Sequence, residues 1–93
     1  MKTLVEKKNF NYCSETLTFN GHKFKIVAEN GNSYSRLNIY YYTTSGELAL
    51  VATKEDIPDY EYMDYIDSKE ERLNGCLKNL KVAKAYIKKV WGE

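Results

Sequence analysis

A single apolar stripe at helical spacing runs through residues 68–91, and it constrains the fold more than any other feature of the chain. The stripe consists of Leu73, Cys76, Leu77, Leu80, Ala83, Ile87, Val90 and Trp91. The opposite side of the wheel is basic, with Lys78, Lys81, Lys88 and Lys89. Ser68 and Glu71 have the spacing of a capping box, and Gly92 follows where a helix can end. A one-sided helix must pack against an apolar surface, so the rest of the chain has to provide one.

Before this helix the apolar residues alternate with a period of two, and three turn signals divide the chain. The signals are the dipeptides Asn20-Gly21, Asn30-Gly31 and Ser45-Gly46, which are typical of tight hairpins. They predict four strands, at 15–19, 22–29, 33–43 and 47–53. Residues 1–14 fit neither period, so an N-terminal arm and an edge strand are both open for them.

Two-residue loops at these turns would fix the register of each hairpin, and with it the face that each side chain occupies. They put Phe24 opposite both Leu17 and Leu37, and Tyr41 opposite Leu50. One face then collects the apolar side chains Leu17, Phe19, Phe24, Ile26, Leu37, Ile39, Tyr41, Leu48 and Leu50. We therefore predict a single α+β domain over 1–93, a four-stranded antiparallel β-meander with one long C-terminal helix packed on one face.

Composition restricts the function classes. Fourteen basic residues against thirteen acidic ones argue against a strongly basic nucleic-acid binder. The chain has no apolar run long enough for a signal peptide or a membrane span, so we expect a cytoplasmic protein without a membrane partner. Nine tyrosines are the compositional outlier, and tyrosine is favoured where one protein contacts another.

Catalytic and metal-binding patterns are weak. His22 is the only histidine, and no motif orients it beside Cys13 as a nucleophile and base pair. Cys76 lies on the apolar stripe, so we expect it to be a buried free thiol. No cysteine, histidine or carboxylate spacing matches a metal site. The sequence therefore predicts a non-enzymatic protein with no cofactor and no metal.

Acidic residues and tyrosines alternate in the connector 54–67, between the last predicted strand and the helix. We call these residues the acidic strip: Asp59, Tyr60, Glu61, Tyr62, Asp64, Tyr65 and Asp67. Carboxylates spaced on a rigid frame can imitate nucleic-acid phosphates, and tyrosines between them can fill apolar pockets of a partner.

In composition the acidic strip resembles the acidic-aromatic strips of nucleic-acid-mimic inhibitors made by phages and mobile elements. The resemblance covers only this strip and includes no diagnostic motif. It implies a small inhibitor or regulator that docks on a basic, nucleic-acid-binding surface of another protein, as a monomer or a homodimer. The alternative interpretation is a solvated connector whose apolar residues lie under the helix.

The sheet face turned away from the helix supports a different function. Its predicted basic and aromatic residues are Lys23, Lys25, Tyr34, Arg36, Tyr40 and Tyr42. The predicted register puts Lys25 opposite Arg36, and like charges in that position favour an anion between them. Rings beside cations are typical of sheet modules that bind nucleic acid, which is our alternative function. A homo-oligomerising module joined through the tyrosine-rich face is a third hypothesis, and an ordinary polar uncovered face is the simplest explanation.

Overall fold

The computed structural model describes residues 2–9, 12–30, 35–58, 60 and 69–92, with backbone only for 2–9 and 69–71. The predicted α+β class is confirmed, since an open antiparallel sheet carries one long helix on one face. The elements are β1 (Lys2–Asn9), β2 (Tyr12–Phe19), β3 (His22–Asn30), β4 (Ser35–Tyr42), β5 (Leu48–Thr53), a 3-10 turn (Lys54–Asp56) and α1 (Lys69–Trp91). The strands lie in the order of the sequence, from β1 at one edge to β5 at the other.

The four predicted strands correspond to β2–β5. A fifth strand, β1, lies at the edge of the sheet, in the N-terminal segment for which an arm and an edge strand were both open. The β2–β3 hairpin turns at Asn20 and Gly21, whose φ angles of 51° and 79° are those of a type I′ turn. This turn fixes the register that was predicted, with Leu17 opposite Phe24.

The predicted register of β3 and β4 is wrong by four residues. Phe24 lies opposite Tyr41 rather than Leu37, and Asn30 pairs with Ser35. The connection therefore spans the four residues 31–34 instead of two. Because four is even, each side chain stays on its predicted face.

The predicted register of β4 and β5 is wrong by one residue near the hairpin. Thr43 donates its backbone N–H to the Glu47 carbonyl over 2.9 Å, which leaves a three-residue loop closed by Gly46 at φ 86°. Tyr41 is therefore opposite Ala49, not Leu50.

A bulge then restores the predicted pairing. Leu50 pairs with Tyr40, and Ala52 pairs with Ile39, so Val51 has no residue opposite it on β4. Between the loop and the bulge the odd slip moves Leu48 and Leu50 to the other face, and they are 46% and 53% exposed rather than buried.

We call the face covered by α1 the inner face and the opposite one the outer face. The buried core lies between the inner face and α1. The strands and the residue after the 3-10 turn contribute Cys13, Leu17, Phe24, Ile26, Ala28, Leu37, Ile39, Ala52 and Ile57. The helix contributes Cys76, Leu80, Ala83 and Ile87, as its stripe predicts. Val90 does not follow the stripe, because it is 47% exposed near the end of the helix.

Both ends of α1 are attached to hairpins of the sheet. Asn20 donates its side-chain amide to the Trp91 carbonyl over 2.7 Å, and the Trp91 ring packs edge-on against Phe24. At the other end, the Asn30 side-chain amide donates to the Arg72 carbonyl over 3.2 Å. The bond to Trp91 satisfies a carbonyl of the last turn, which has no partner within the helix, and both bonds fix the position of α1 across the strands.

Candidate binding surface

The outer face carries aromatic and aliphatic side chains in two neighbouring rows. In one row Lys25 pairs with Tyr40, and Tyr40 pairs with Leu50 across β3, β4 and β5. In the next row Tyr42 pairs with Leu48. We call the four residues Tyr40, Tyr42, Leu48 and Leu50 the β4–β5 patch.

The aliphatic members of the patch are open to solvent. Leu48 and Leu50 are exposed by about half, and the adjacent Val51 is 41% exposed. Single exposed apolar residues are ordinary on protein surfaces, but a contiguous group beside tyrosines is typical of an interaction site. The sequence prediction missed Leu48 and Leu50 because strict alternation assigned them to the core. The three-residue loop at Gly46 and the bulge at Val51 shift the register between them, so Leu48 and Leu50 lie on the outer face.

The charges of the outer face are arranged differently from the prediction. Arg36 lies opposite Glu29 and forms an ion pair with it, so the predicted Lys25–Arg36 pair does not exist. The Lys23 ammonium lies 4.7 Å from the centre of the Tyr42 ring, within cation–π range. Lys25 and Arg36 therefore do not repel each other across the strands, and the argument for an anion between them does not apply. Lys23 and Lys25 still make the central rows of this face basic.

Of the acidic strip, the structure describes Tyr60 alone. Its ring packs against the core, and its hydroxyl is hydrogen-bonded to the Ser35 hydroxyl. Ser35 in turn donates to the Asn30 side-chain carbonyl over 2.9 Å, in a buried polar cluster beneath the start of α1. Tyr60 thus stabilises the fold, because it satisfies a buried polar group. The other predicted strip residues lie outside the described part of the chain: Asp59, Glu61, Tyr62, Asp64, Tyr65 and Asp67. Tyr34 of the outer-face prediction also lies outside it.

The two cysteines, far apart in sequence, meet in the core and are both fully buried. Burial and, to a smaller extent, the neighbouring Cys13 thiol raise the pKa of the Cys76 thiol to about 12, while a hydrogen bond from the Asn30 backbone opposes this shift. A thiol that stays protonated is a poor nucleophile. His22 is the first residue of β3 and pairs with Phe19, at the opposite end of β2 from Cys13. Its Nδ1 is hydrogen-bonded to the Tyr41 hydroxyl over 2.8 Å.

An ion pair that the hydrophobic pattern does not predict joins the sheet to the helix. Lys84 Nζ lies 2.7 Å from Oε2 of Glu15, which is on the inner face and only 6% exposed. Glu15 occupies an alternating position between Cys13 and Leu17 that a purely apolar face would fill with a hydrophobic residue. The Lys84 ammonium compensates the charge of the buried carboxylate, although Oε2 lacks a hydrogen bond of regular geometry.

A small pocket lies beside the helix and is lined by Ile57, Pro58, Val82, Ala85, Tyr86 and Lys89. Its volume of about 170 Å³ is below the range of roughly 300–1,000 Å³ that is usual for small-molecule sites. Within the described residues, no three histidine, cysteine or carboxylate side chains are grouped as they would be around a metal ion. The described helix is also too polar along its length to cross a membrane.

These features define an open five-stranded meander with one covering helix and an exposed apolar patch on its free face. No protein-family model, no curated protein and no solved structure matches this chain.

Proposed function

We propose that the chain is a non-enzymatic protein-binding module that holds a partner protein on the β4–β5 patch. The observation that carries this proposal is the pair of half-exposed leucines, Leu48 and Leu50, beside two tyrosines on a face that α1 does not cover. Tyrosine supplies a large rigid contact with a polar tip, and leucine supplies apolar area, so the patch resembles the centre of a protein interface.

The chemistry of the patch favours a protein over a nucleic acid. Aliphatic side chains such as Leu48 and Leu50 have no flat surface on which a base can stack, and Arg36 is already neutralised by Glu29. Lys23 and Lys25 lie one strand away from the tyrosines, at the rim of the patch. We therefore expect a partner surface with an apolar centre and carboxylates that face the exposed Lys23.

The inhibitor or regulator suggested by the acidic strip stays a separate hypothesis. It requires the strip to face a basic partner, whereas Tyr60, its described member, supports the fold from inside. The two hypotheses predict opposite charges on the partner, which makes them separable by experiment. The alternative function, nucleic-acid binding, can be tested with an oligonucleotide directly.

The test compares matched variants in affinity capture. The parent protein, Leu50→Lys and Val90→Lys are immobilised in parallel, because Leu50 and Val90 are similarly exposed on different surfaces. A partner that is captured by the parent and by Val90→Lys, but not by Leu50→Lys, supports the proposal. That partner is then purified, and its Kd is measured against Tyr42→Ala, for which we expect a loss of at least about tenfold, as for a central aromatic contact.

Two other outcomes overturn the proposal. Capture that survives Leu50→Lys but is lost in Asp59→Lys with Asp64→Lys would transfer the function to the acidic strip. Binding of a fluorescent oligonucleotide at low salt, lost in Lys25→Glu, would transfer it to nucleic acid. Circular dichroism and urea unfolding of every variant show whether each loss of binding is separate from a loss of folding.

A further inference from the structure

The two edges of the sheet differ sharply in composition. Edge strands present unpaired backbone groups, and natural proteins protect them with charged residues, proline or bulges. In β1 half of the eight residues are charged: Lys2, Glu6, Lys7 and Lys8. In β5, which runs Leu-Ala-Leu-Val-Ala-Thr, no residue is charged and none is proline. Among the residues that the structure describes, the bulge at Val51 is the one protective feature of this edge.

Exposure of β5 is continuous along most of the strand. The four residues from Leu48 to Val51 are all exposed, and Ala52 is the first to be buried. Proteins seldom leave an uncharged apolar edge of this length unprotected, because it can pair with any available strand. An edge with these properties is most simply explained by a second strand that pairs with it.

We propose that the β5 edge pairs with β5 of a second copy of this chain, so that two five-stranded sheets become one continuous antiparallel sheet. The charges that flank β5 identify this occupant. Glu47 precedes the strand and is exposed, and Lys54 follows it. In a twofold antiparallel pair, the start of one β5 lies beside the end of the other, so Glu47 of each copy approaches Lys54 of its partner.

This arrangement forms charge pairs at the ends of β5 in addition to the backbone pairing along the strand. Opposite charges across neighbouring strands are favourable, and the symmetry produces the pair twice. Lys54 already donates to the Ser35 carbonyl over 2.9 Å and has a further contact within its own copy, so the partner's Glu47 carboxylate would add to these contacts. A parallel pair would instead put Glu47 beside Glu47, so the charges select the antiparallel orientation. A peptide of unrelated sequence would have no such matching ends.

The inference goes beyond the proposed function, because it uses the edge of β5 rather than the outer face. Pairing would nevertheless extend that face, since the β4–β5 patches of the two copies would lie on both sides of the twofold axis. The dimer and the partner complex can therefore succeed or fail separately.

Sedimentation equilibrium of the full chain tests the dimer directly. We expect the parent protein to sediment as a dimer that dissociates on dilution. Val51→Lys places a charge at the centre of the edge and should give a monomer, while Val90→Lys on α1 should leave the dimer intact. A parent protein that is monomeric at every concentration overturns the inference, as does a dimer that Val51→Lys does not weaken.

A charge exchange tests the orientation. Glu47→Lys and Lys54→Glu should each raise the dimer Kd by roughly tenfold, because each creates two like-charge contacts in place of two attractive ones. Mixing the two variants restores both attractive contacts, so a heterodimer should form with nearly the parent Kd. Failure of the mixture to associate more tightly than either variant alone overturns the antiparallel arrangement.

One further comparison separates the two proposals. If Val51→Lys is monomeric and still captures the partner protein, both proposals stand and the dimer is not required for binding. If the parent is monomeric and captures a partner through Leu50, the dimer fails while the proposed function stands. Urea unfolding of Val51→Lys confirms that the monomer is folded.

Discussion

The inner and outer faces of the sheet are formed by alternate residues of the same strands, yet they differ in exposure. On the inner face Phe24 and Ile39 are fully buried beneath α1. On the outer face Tyr42 and Leu48 pair across β4 and β5, and Leu48 is exposed by about half. Apolar area removed from water stabilises the fold, whereas exposed apolar area contributes little to it. The difference indicates that the inner face maintains the structure and that the β4–β5 part of the outer face stays exposed, whereas Ser14 and Val27, farther along the outer face, are buried.

The largest expected difference between the two faces is in the free energy of unfolding when a leucine is truncated on one face or on the other. Leu80→Ala removes a side chain that is 2% exposed between α1 and the sheet, and we expect a loss of about 2–5 kcal/mol in the free energy of unfolding. Leu50→Ala on the outer face should change it by no more than about 0.5 kcal/mol. Urea unfolding of both variants measures the difference. Equal losses would show that something covers the outer face.

The buried ion pair provides the second test, because it is a polar contact inside the apolar layer. Lys84→Met leaves the Glu15 carboxylate buried without its partner, which should cost about 1–3 kcal/mol. Lys81→Met is the matched control on the exposed side of α1, and it should be nearly neutral. Replacing both partners, in Glu15→Leu with Lys84→Met, should recover most of the loss. A Lys84→Met protein as stable as the parent contradicts this account.

The core thiols provide a third, smaller effect that depends on pH. Burial raises the pKa of Cys76 from 9.0 to about 12, so the folded state favours the protonated thiol. The resulting stability is fully present below pH 9, where the unfolded thiol is also protonated, and it is lost as the pH rises towards 12. We expect Cys76→Ala to unfold with a weaker dependence on alkaline pH than the parent.

Thiol labelling provides an independent reading of the same burial. Iodoacetamide should modify Cys76 slowly in the folded protein and rapidly in denaturant, because the thiolate is the reactive form. Peptide mapping separates Cys76 from Cys13. Rapid modification of Cys76 under native conditions would show that the stripe of α1 does not face the sheet as described.

The smallest effect is expected on the outer face itself. Lys23 contacts the Tyr42 ring at 4.7 Å, and exposed contacts of this kind contribute about 0.5–1 kcal/mol. Tyr42→Ser and Lys23→Ala should therefore each reduce the free energy of unfolding by no more than this amount. The double variant should lose little more than either single one, which a double-mutant cycle measures. A loss like that of Leu80→Ala would give the outer face a structural role.

Local signals predicted the architecture well. The type I′ turn at Asn20 and Gly21 fixed the β2–β3 register, and the one-sided stripe of α1 identified its buried face. The four-residue error in β3 and β4 was harmless, because an even slip keeps every side chain on its face. Alternation therefore predicts which face a residue occupies more safely than it predicts which residue lies opposite.

The candidate site was harder to predict because it depends on departures from regular geometry. The loop closed by Gly46 contains three residues, and the bulge at Val51 adds one unpaired residue, so Leu48 and Leu50 change faces between these two points. Neither departure leaves a distinct mark in the hydrophobic pattern. The contacts of Tyr60 could not be predicted for a different reason, since its hydroxyl is hydrogen-bonded to Ser35, which is 25 positions away in the sequence.

The attachment of α1 to the β2–β3 hairpin has a consequence for the order of folding. Every strand pairs with its neighbour in sequence, whereas the bond from Asn20 to Trp91 spans 71 positions. Local pairings form quickly, and contacts distant in sequence form late, so we expect the hairpins to assemble before the helix docks. During synthesis the ribosome completes the whole sheet before it reaches α1. Until then the inner face, with Phe24 and Ile39, has no helix to cover it, and we expect the partly synthesised chain to be more prone to aggregate than the complete one.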